Sequence, residues 1–130
     1  MCRLFIGAEP QLWQSVTRSL RIDGVVTSVR LENFFWSALE DIAGRDDMSV
    51  SRLLGKLYEE SRAEGHDLDN FASFLRVCCG RYLALQVNGL IPTDRTTAIS
   101  TLDTEEILRR EKETYRDPHS SWQKSAHHAA

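Results

Sequence analysis

Two alternating segments joined by Asp23-Gly24 constrain the fold of this chain more than any other part of its sequence. Aspartate and glycine both tolerate the positive φ angles of a type I′ turn, so this pair predicts a two-residue hairpin loop. Folding about the loop pairs Ile22 with Val25, Leu20 with Thr27, Arg18 with Val29 and Val16 with Leu31. These residues share one face, which is apolar apart from Arg18 and Thr27. The turn and the alternation therefore predict the same buried face independently.

The opposite face of the predicted hairpin collects Thr17, Ser19, Arg21, Val26, Ser28 and Arg30. Its hydroxyl and guanidinium groups stand at a spacing that matches polar surfaces such as base edges and phosphates. The alternative is a solvated face, in which Arg30 pairs with Glu32 or with a cross-strand acid. Arg18 lies on the apolar face, where it is expected to extend its guanidinium to solvent or to pair with an acid.

Three amphipathic helix patterns follow the hairpin. Asn33 is the predicted N-cap of the first helix, Ser49 of the second, and Asp69 or Asn70 of the third. Pro92 marks an end near the third helix. Apolar residues at helical spacing form the three stripes, which are Phe35, Trp36, Leu39, Ile42 and Ala43, then Val50, Leu53, Leu54, Leu57 and Tyr58, then Phe71, Phe74, Leu75, Cys78 and Tyr82. At this spacing the aromatic side chains are expected to pack in a core.

A change of composition at residue 93 divides the chain into a folded region, residues 1–92, and a polar tail, residues 93–130. One short helix is predicted in the tail over residues 104–115, with Asp103 as its N-cap and Glu106 placed for a capping box. Ile107 and Leu108 provide the apolar patch of this helix. Residues 118–130 are expected to be disordered.

Length and composition indicate one compact domain outside the membrane. The chain has 130 residues, of which 42% are hydrophobic and 27% charged. No run reaches the roughly 18 apolar residues needed to span a bilayer, and the first six residues are too short and too quickly polar for a signal peptide. Cys2, Cys78 and Cys79 make a poor disulfide framework and are expected to stay reduced. A cytoplasmic protein is therefore predicted.

The net charge of −3 at pH 7 is unfavourable for a general binder of polyanions, but the charges are unevenly distributed. Residues 11–29 contain two arginines and one acid, which predicts a local basic face with a modest and strongly salt-dependent affinity for DNA. The sequence has no glycine-rich phosphate loop, no Ser/His/Asp set and no metal-ligand spacing. No enzyme, metal or cofactor is therefore expected.

The sequence contains a pattern of one strand followed by two closely spaced helices. Its residues are Thr27-Ser-Val-Arg-Leu-Glu32, Phe35-Trp36, Leu39, Ile42-Ala43, Ser49-Val-Ser-Arg-Leu-Leu54 and Leu57. This pattern resembles the ribbon-helix-helix superfamily of bacterial repressors and antitoxins, of the Arc/MetJ/CopG type. The match covers about residues 25–60. Met1-Cys2 and residues 70–79 are further similar to a small proteobacterial subgroup of mostly unassigned function.

The resemblance implies an α+β, mostly α fold. It is a ribbon-helix-helix domain with an N-terminal β-hairpin, a third helix and a polar C-terminal tail, in an intertwined homodimer. In that family two chains pair their strands into an antiparallel ribbon that enters the major groove of DNA. Neither chain of such a dimer buries its helix stripes alone, so dimerisation is obligate.

The resemblance also implies two sets of contact residues. Outward strand residues read base edges, and by position these are Val26, Ser28 and Arg30. The start of the second helix offers free backbone N–H groups to a phosphate. By position, the phosphate or anion contacts are Ser49, Val50, Ser51, Arg52 and Lys56, with Arg21 and Ser19 added by the extra strand.

Two features depart from the family pattern. Asp46 and Asp47 precede the second helix, where carboxylates are unfavourable beside a phosphate unless they cap or orient the loop. The additional strand predicts a four-stranded sheet in the dimer. That sheet either places Arg21 and Ser19 against phosphates or blocks entry into the groove.

The function implied by the resemblance is that of a homodimeric DNA-binding protein, a regulator of transcription acting on double-stranded and palindromic sites. An antitoxin or adaptor is the first alternative, because the acidic balance and the charged residues 103–115 suit a segment that folds on a protein partner. An anion or nucleotide sensor is the second alternative, and it would use Ser19, Arg21, Ser28 and Arg30.

Overall fold

The computed structural model describes residues 1–22 and 24–116, and it is an α+β fold in which helices predominate. The elements in chain order are α1 (Cys2–Ile6), a 3-10 turn (Pro10–Trp13), β1 (Ser15–Ile22), β2 (Val25–Glu32), α2 (Asn33–Arg45), α3 (Val50–Ala63), α4 (Phe71–Val87), a second 3-10 turn (Ile99–Thr101) and α5 (Thr104–Arg116). The conformation predicted for Asp23 and the disorder predicted for residues 118–130 lie outside the described residues.

The predicted hairpin and its register are confirmed. β1 and β2 form an antiparallel pair in which Ile22 is opposite Val25 and Val16 is opposite Leu31. Gly24 has a φ of 77°, a value that glycine adopts without steric penalty. One placement was wrong, because Val25 is 63% exposed although it belongs to the apolar face. It lies beside the turn, opposite Ile22, which is buried.

The N-cap predicted for the first long helix is wrong. α2 already includes Asn33, and the residue before it, Glu32, makes no capping hydrogen bond with its side chain. The Asn33 carboxamide instead donates from Nδ2 to the Gln11 carbonyl oxygen at 3.1 Å. The Asn33 backbone N–H donates to the Gln14 carbonyl oxygen at 2.9 Å. Asn33 therefore joins the start of α2 to the 3-10 turn that precedes the hairpin.

The other predicted caps are confirmed. The Ser49 hydroxyl oxygen accepts a hydrogen bond from the Arg52 N–H at 3.1 Å, and the Asn70 side chain accepts one from the Ser73 N–H at 3.4 Å. Asp103 accepts from the Glu106 N–H at 3.2 Å. Each of these bonds spans three residues, so the local sequence is enough to predict it.

The core lies between the hairpin and helices α2, α3 and α4. Its fully buried side chains are Leu31, Trp36, Leu39, Leu54, Leu75 and Cys79. β1 packs on α3, and α4 packs on α2 and β2, so part of each stripe is buried within a single chain. Phe35, Ile42, Val50, Leu57 and Tyr58 are only partly buried. The expectation that a partner chain completes the burial of these stripes stays a prediction.

Residues after α4 pack back onto the domain. Tyr82, Leu85 and Ile91 form a second buried cluster, and Ile107 of α5 packs against it. The Glu111 carboxylate forms an ion pair with Arg81 at 2.6 Å. The residues 104–115 predicted as a helix in the tail are thus helical and anchored on α4. The boundary predicted at residue 92 stays a prediction.

A buried arginine fastens the end of α2 to the segment after α4. Arg45 is only 6% exposed, and its Nη2 donates to the Pro92 carbonyl oxygen at 2.7 Å. Its guanidinium carbon lies 5.4 Å from the centre of the Tyr82 ring. Nothing in the local sequence distinguishes Arg45 from an exposed arginine, because both contacts come from residues far along the chain.

Candidate nucleic-acid interface

The outward face of the hairpin carries the three residues predicted to read bases, and all three are exposed. Val26 is opposite Arg21, Ser28 is opposite Ser19, and Arg30 is opposite Thr17. Successive outward pairs along an antiparallel ribbon are about 6.8 Å apart. The Cα positions of Arg21 and Arg30 are therefore about 13 Å apart along the ribbon. That distance corresponds to about four base-pair steps of DNA.

The acid two residues after Arg30 on β2 is paired with another arginine. Glu32 accepts hydrogen bonds from Arg76 of α4, with Nη2 at 2.8 Å and Nε at 3.0 Å from Oε1. These hydrogen bonds from Arg76 lower the pKa of the Glu32 carboxyl. Among the described residues, Arg30 makes no hydrogen bond or ion pair with Glu32 or with a cross-strand acid. Its guanidinium is therefore available to a ligand.

Arg18 does not belong to this face. Its Nη2 lies 3.0 Å from Glu40 Oε1, and its guanidinium carbon lies 4.6 Å from the centre of the Trp36 ring. The prediction that Arg18 pairs with an acid is confirmed. The Arg18 guanidinium, stacked on Trp36 and paired with Glu40, covers the edge of the core between β1 and α2.

A polar groove brings together most of the residues predicted to contact phosphate. It is lined by Arg21 from β1 and by Ser49, Ser51, Arg52, Gly55, Lys56 and Glu59 from α3 and its cap. The three cationic side chains are exposed, while Arg21 also donates to the Gly24 carbonyl oxygen at 3.4 Å. Val50 packs its side chain against the core and does not line the groove. Ser19 lies apart from this groove, in the middle of the hairpin.

The start of α3 adds hydrogen-bond donors to the groove. The Ser49 hydroxyl accepts a hydrogen bond from the Arg52 N–H, whereas the N–H groups of Val50 and Ser51 have no intrahelical acceptor. The positive end of the helix dipole points in the same direction. The groove therefore combines three side-chain cations and one carboxylate, Glu59, with the backbone donors at the start of α3. This excess of positive charge and donors suits an anion such as a phosphate group.

The two aspartates before α3 have different positions. The Asp46 carboxylate accepts hydrogen bonds from the backbone N–H groups of Ile99 at 2.6 Å and Ser100 at 3.2 Å. Asp46 therefore orients the loop, which is one of the two roles expected for this pair of aspartates. Asp47 is exposed and has a φ of 54°, in the left-handed region. Among the residues that the structure describes, the Asp47 carboxylate makes no hydrogen bond or ion pair. It belongs to the loop next to the groove.

Replacing Asp47 with asparagine is expected to strengthen DNA binding about two- to fivefold at low salt, because a negative charge beside the groove is removed. Asparagine tolerates positive φ, so the free energy of unfolding should change by less than about 0.5 kcal/mol. Fluorescence anisotropy on a labelled duplex measures the affinity. Glu64→Gln, which makes the same charge change after the other end of α3, should leave it unchanged. Equal affinities of Asp47→Asn and the unmodified protein would contradict the placement of a phosphate in this groove.

Within the described residues, no helix has the length and apolarity to cross a membrane. The same part of the chain holds no cluster of three histidine, cysteine or acidic side chains arranged for a metal. Cys2, Cys78 and Cys79 are free. Burial raises the pKa of the Cys79 thiol to about 12, which makes it unreactive near neutral pH.

Comparisons with known proteins agree with the hairpin and the helices. A family model described as a ribbon-helix-helix domain matches residues 15–83, which are more than half of the chain and run from the first residue of β1 into α4. The solved structure of an uncharacterized protein from Bordetella pertussis Tohama I matches with a TM-score of 0.79 and 50% sequence identity. That match covers 84% of this chain and 87% of the other. No protein of curated function matches at a significant level.

Proposed function

Because this chain belongs to the ribbon-helix-helix family, we propose that it is a homodimeric DNA-binding protein that regulates transcription through the major groove. The observation that carries the proposal is the outward face of the hairpin. Thr17, Ser19, Arg21, Val26, Ser28 and Arg30 provide two guanidinium groups and three hydroxyl groups, and the acid that alternation adds to this face is Glu32 at the end of β2. Glu32 is paired with Arg76.

The hairpin has the width that the major groove admits. Paired strands lie about 4.8 Å apart, and a two-stranded ribbon fits a groove about 12 Å wide. Both strands here come from one chain, so each protomer carries a complete ribbon. A dimer joined edge to edge would present four strands, which is wider than the groove accepts. We therefore propose that each protomer inserts its own hairpin, and that two hairpins read the two halves of a palindromic site.

Three residues are proposed to read bases. Arg30 donates two hydrogen bonds to guanine O6 and N7, Ser28 exchanges a hydrogen bond with a neighbouring base, and Val26 contacts a thymine methyl group. The groove at the start of α3 holds the adjacent phosphate through Arg21, Arg52 and Lys56, the hydroxyls of Ser49 and Ser51, and the backbone of Val50 and Ser51. Ser19 stands between the two sets and contacts the backbone of the DNA.

Replacing Arg30 with alanine is expected to weaken binding by about 1–3 kcal/mol and to relax the preference at one position of each half-site. Selection of bound sequences from a random duplex pool measures both effects. Arg110→Ala on α5 is the matched control, because it removes an exposed arginine far along the chain from the hairpin. If the unmodified protein enriches no palindrome at low salt, the proposed regulatory function is wrong.

Two observations favour this function over the alternatives considered from the sequence. Residues 103–115 already form a helix anchored by Ile107 and Glu111, so they do not need a partner in order to fold. The four residues considered for an anion sensor do not surround one cavity, because only Ser28 and Arg30 share a pocket, which Asp69 also lines. Only Arg21 among them reaches the polar groove at the start of α3.

A further inference from the structure

The outward face of β2 ends in an acid that stands next to the arginine proposed to bind guanine. Alternation places Val26, Ser28, Arg30 and Glu32 on this face. Cα atoms two positions apart on a strand are about 6.8 Å from each other, so the side chains of Arg30 and Glu32 are neighbours. The Glu32 carboxylate is therefore a competitor of DNA for the donors of Arg30.

Two arginines act on the Glu32 carboxylate, but only one of them binds it. Hydrogen bonds from Arg76 lower the pKa of the Glu32 carboxyl, and the positive charge of Arg30 lowers this pKa further. Arg30 is thus close enough to attract Glu32. Among the described residues, it nevertheless makes no hydrogen bond or ion pair with that acid.

Arg76 holds Glu32 through a forked contact. Its Nη2 donates to Glu32 Oε1 at 2.8 Å, and its Nε lies 3.0 Å from Oε1 and 3.1 Å from Oε2. Charge-assisted contacts of this kind are stronger than neutral hydrogen bonds and fix the orientation of both groups. The carboxylate is therefore held on α4, and the Glu32 side chain is only 23% exposed.

The helix α4 gives Arg76 a fixed position. Leu75 precedes Arg76 and Cys79 follows it by three residues, and both are fully buried. The Cys79 thiol also donates to the Phe35 carbonyl oxygen of α2 at 3.6 Å. Arg76 therefore reaches Glu32 from a helix that is packed in the core, so the forked contact is part of the folded domain.

We propose that Arg76 is a positioning residue for base recognition, because it holds Glu32 on α4 and so leaves the donors of Arg30 free for guanine. This inference rests on the proposed function and gives Arg76 no contact with DNA. Without Arg76, the Glu32 carboxylate pairs with Arg30 and occupies the N–H groups that guanine O6 and N7 accept. The released carboxylate also repels neighbouring phosphates.

A rescue experiment distinguishes this role from a direct contact with DNA. R76Q is expected to weaken binding to the selected duplex about tenfold and to relax the same guanine preference as R30A. R76Q/E32Q should bind within about twofold of the unmodified protein, because the acid that captures Arg30 is absent. Anisotropy titrations and selection from a random duplex pool measure the two effects. The proposal is overturned if R76Q keeps the affinity and preference of the unmodified protein, or if R76Q/E32Q binds as weakly as R76Q.

Arg81 provides the matched control. It also lies on α4 and makes a forked contact, with Nη2 2.6 Å from Oε1 of Glu111 on α5. R81Q removes the same charge and a similar ion pair outside the hairpin, and it should leave affinity and base preference unchanged. A loss as large as that of R76Q would assign the effect to net charge or to the packing of α4, against the proposal. If R76Q does not fold, R76K is used, which keeps the charge but not the fork. Its smaller loss should again be reversed by E32Q, and a loss that E32Q does not reverse overturns the proposal.

A measurement without DNA separates this proposal from the proposed function. Exchange of the Arg30 guanidinium N–H groups with solvent, followed by NMR, should be slower in R76Q than in the unmodified protein, because pairing with Glu32 protects them. The exchange should return to the unmodified rate in R76Q/E32Q. Equal exchange in the three proteins overturns the proposal even where DNA binds as proposed. The expected order of exchange rates, together with no guanine preference in the unmodified protein, supports the control of Arg30 by Arg76 and contradicts only the proposed function.

Discussion

Replacing Arg21, Arg52 and Lys56 together with alanine is expected to weaken DNA binding about a hundredfold at about 0.1 M salt. The three cations converge on the groove at the start of α3. Each phosphate that loses its cation also keeps its counterions, so the slope of log affinity against log salt should fall by about 2.7. Titration of a labelled duplex at four or five salt concentrations measures both quantities. The preference among duplex sequences should change little, because these residues are proposed to contact phosphates only.

The chain offers a matched control for this variant. Arg109, Arg110 and Lys112 lie on α5 and provide the same number of arginines and lysines. Replacing them with alanine removes the same charge and loses the ion pairs of Arg109 and Arg110 with Glu106. Those pairs are exposed and contribute little to stability. Similar losses of affinity in the two variants would show that net charge, and not the groove, controls binding.

Replacing Trp36 with alanine is expected to lower the free energy of unfolding by about 3–5 kcal/mol. Trp36 is fully buried, and its Nε1 donates to the Val16 carbonyl oxygen at 2.9 Å. The variant therefore loses packing between the hairpin and α2 and leaves the carbonyl without its donor. A loss of this size is a large part of the roughly 5–15 kcal/mol typical of a domain. Urea unfolding followed by circular dichroism measures it.

Two further tryptophan variants separate the contributions. Trp36→Phe keeps most of the ring volume but removes the donor, and it should cost about 1–3 kcal/mol. Trp13→Ala removes an exposed tryptophan of the 3-10 turn and should cost less than about 0.5 kcal/mol. If Trp36→Ala were no more destabilising than Trp13→Ala, the core described between hairpin and α2 would be incorrect.

Features set by neighbouring residues could be predicted from the sequence. The turn at Gly24 and the alternation of β1 and β2 determine the register, and Ser49 and Asn70 cap their helices through bonds that span three residues. Asn33 shows where this reasoning stops. Its residue type suits an N-cap, but the Gln11 carbonyl lies within reach of its carboxamide and takes the hydrogen bond. No local pattern contains that competing acceptor.

The candidate site also contains features that the local sequence predicts and features that it does not. The exposure of Ser28 and Arg30 follows from the hairpin alone, because alternation assigns them to the outward face. The pairing of Glu32 with Arg76, which leaves Arg30 available, joins residues 44 positions apart. Asp46 likewise finds its partners 53 and 54 positions later, at Ile99 and Ser100. These contacts depend on how α4 and the following segment pack, which periodicity and spacing do not specify.

The covalent connection between β1 and β2 removes a symmetry constraint from the surface proposed to read DNA. When two identical strands from two chains make a ribbon, every outward side chain appears twice, and the sequence it recognises must repeat by the same two-fold axis. In this chain the two strands differ, with Thr17, Ser19 and Arg21 on one and Val26, Ser28 and Arg30 on the other. Substitutions on one strand leave the other as it was. A single hairpin of this kind can therefore evolve to recognise a run of bases that has no internal symmetry.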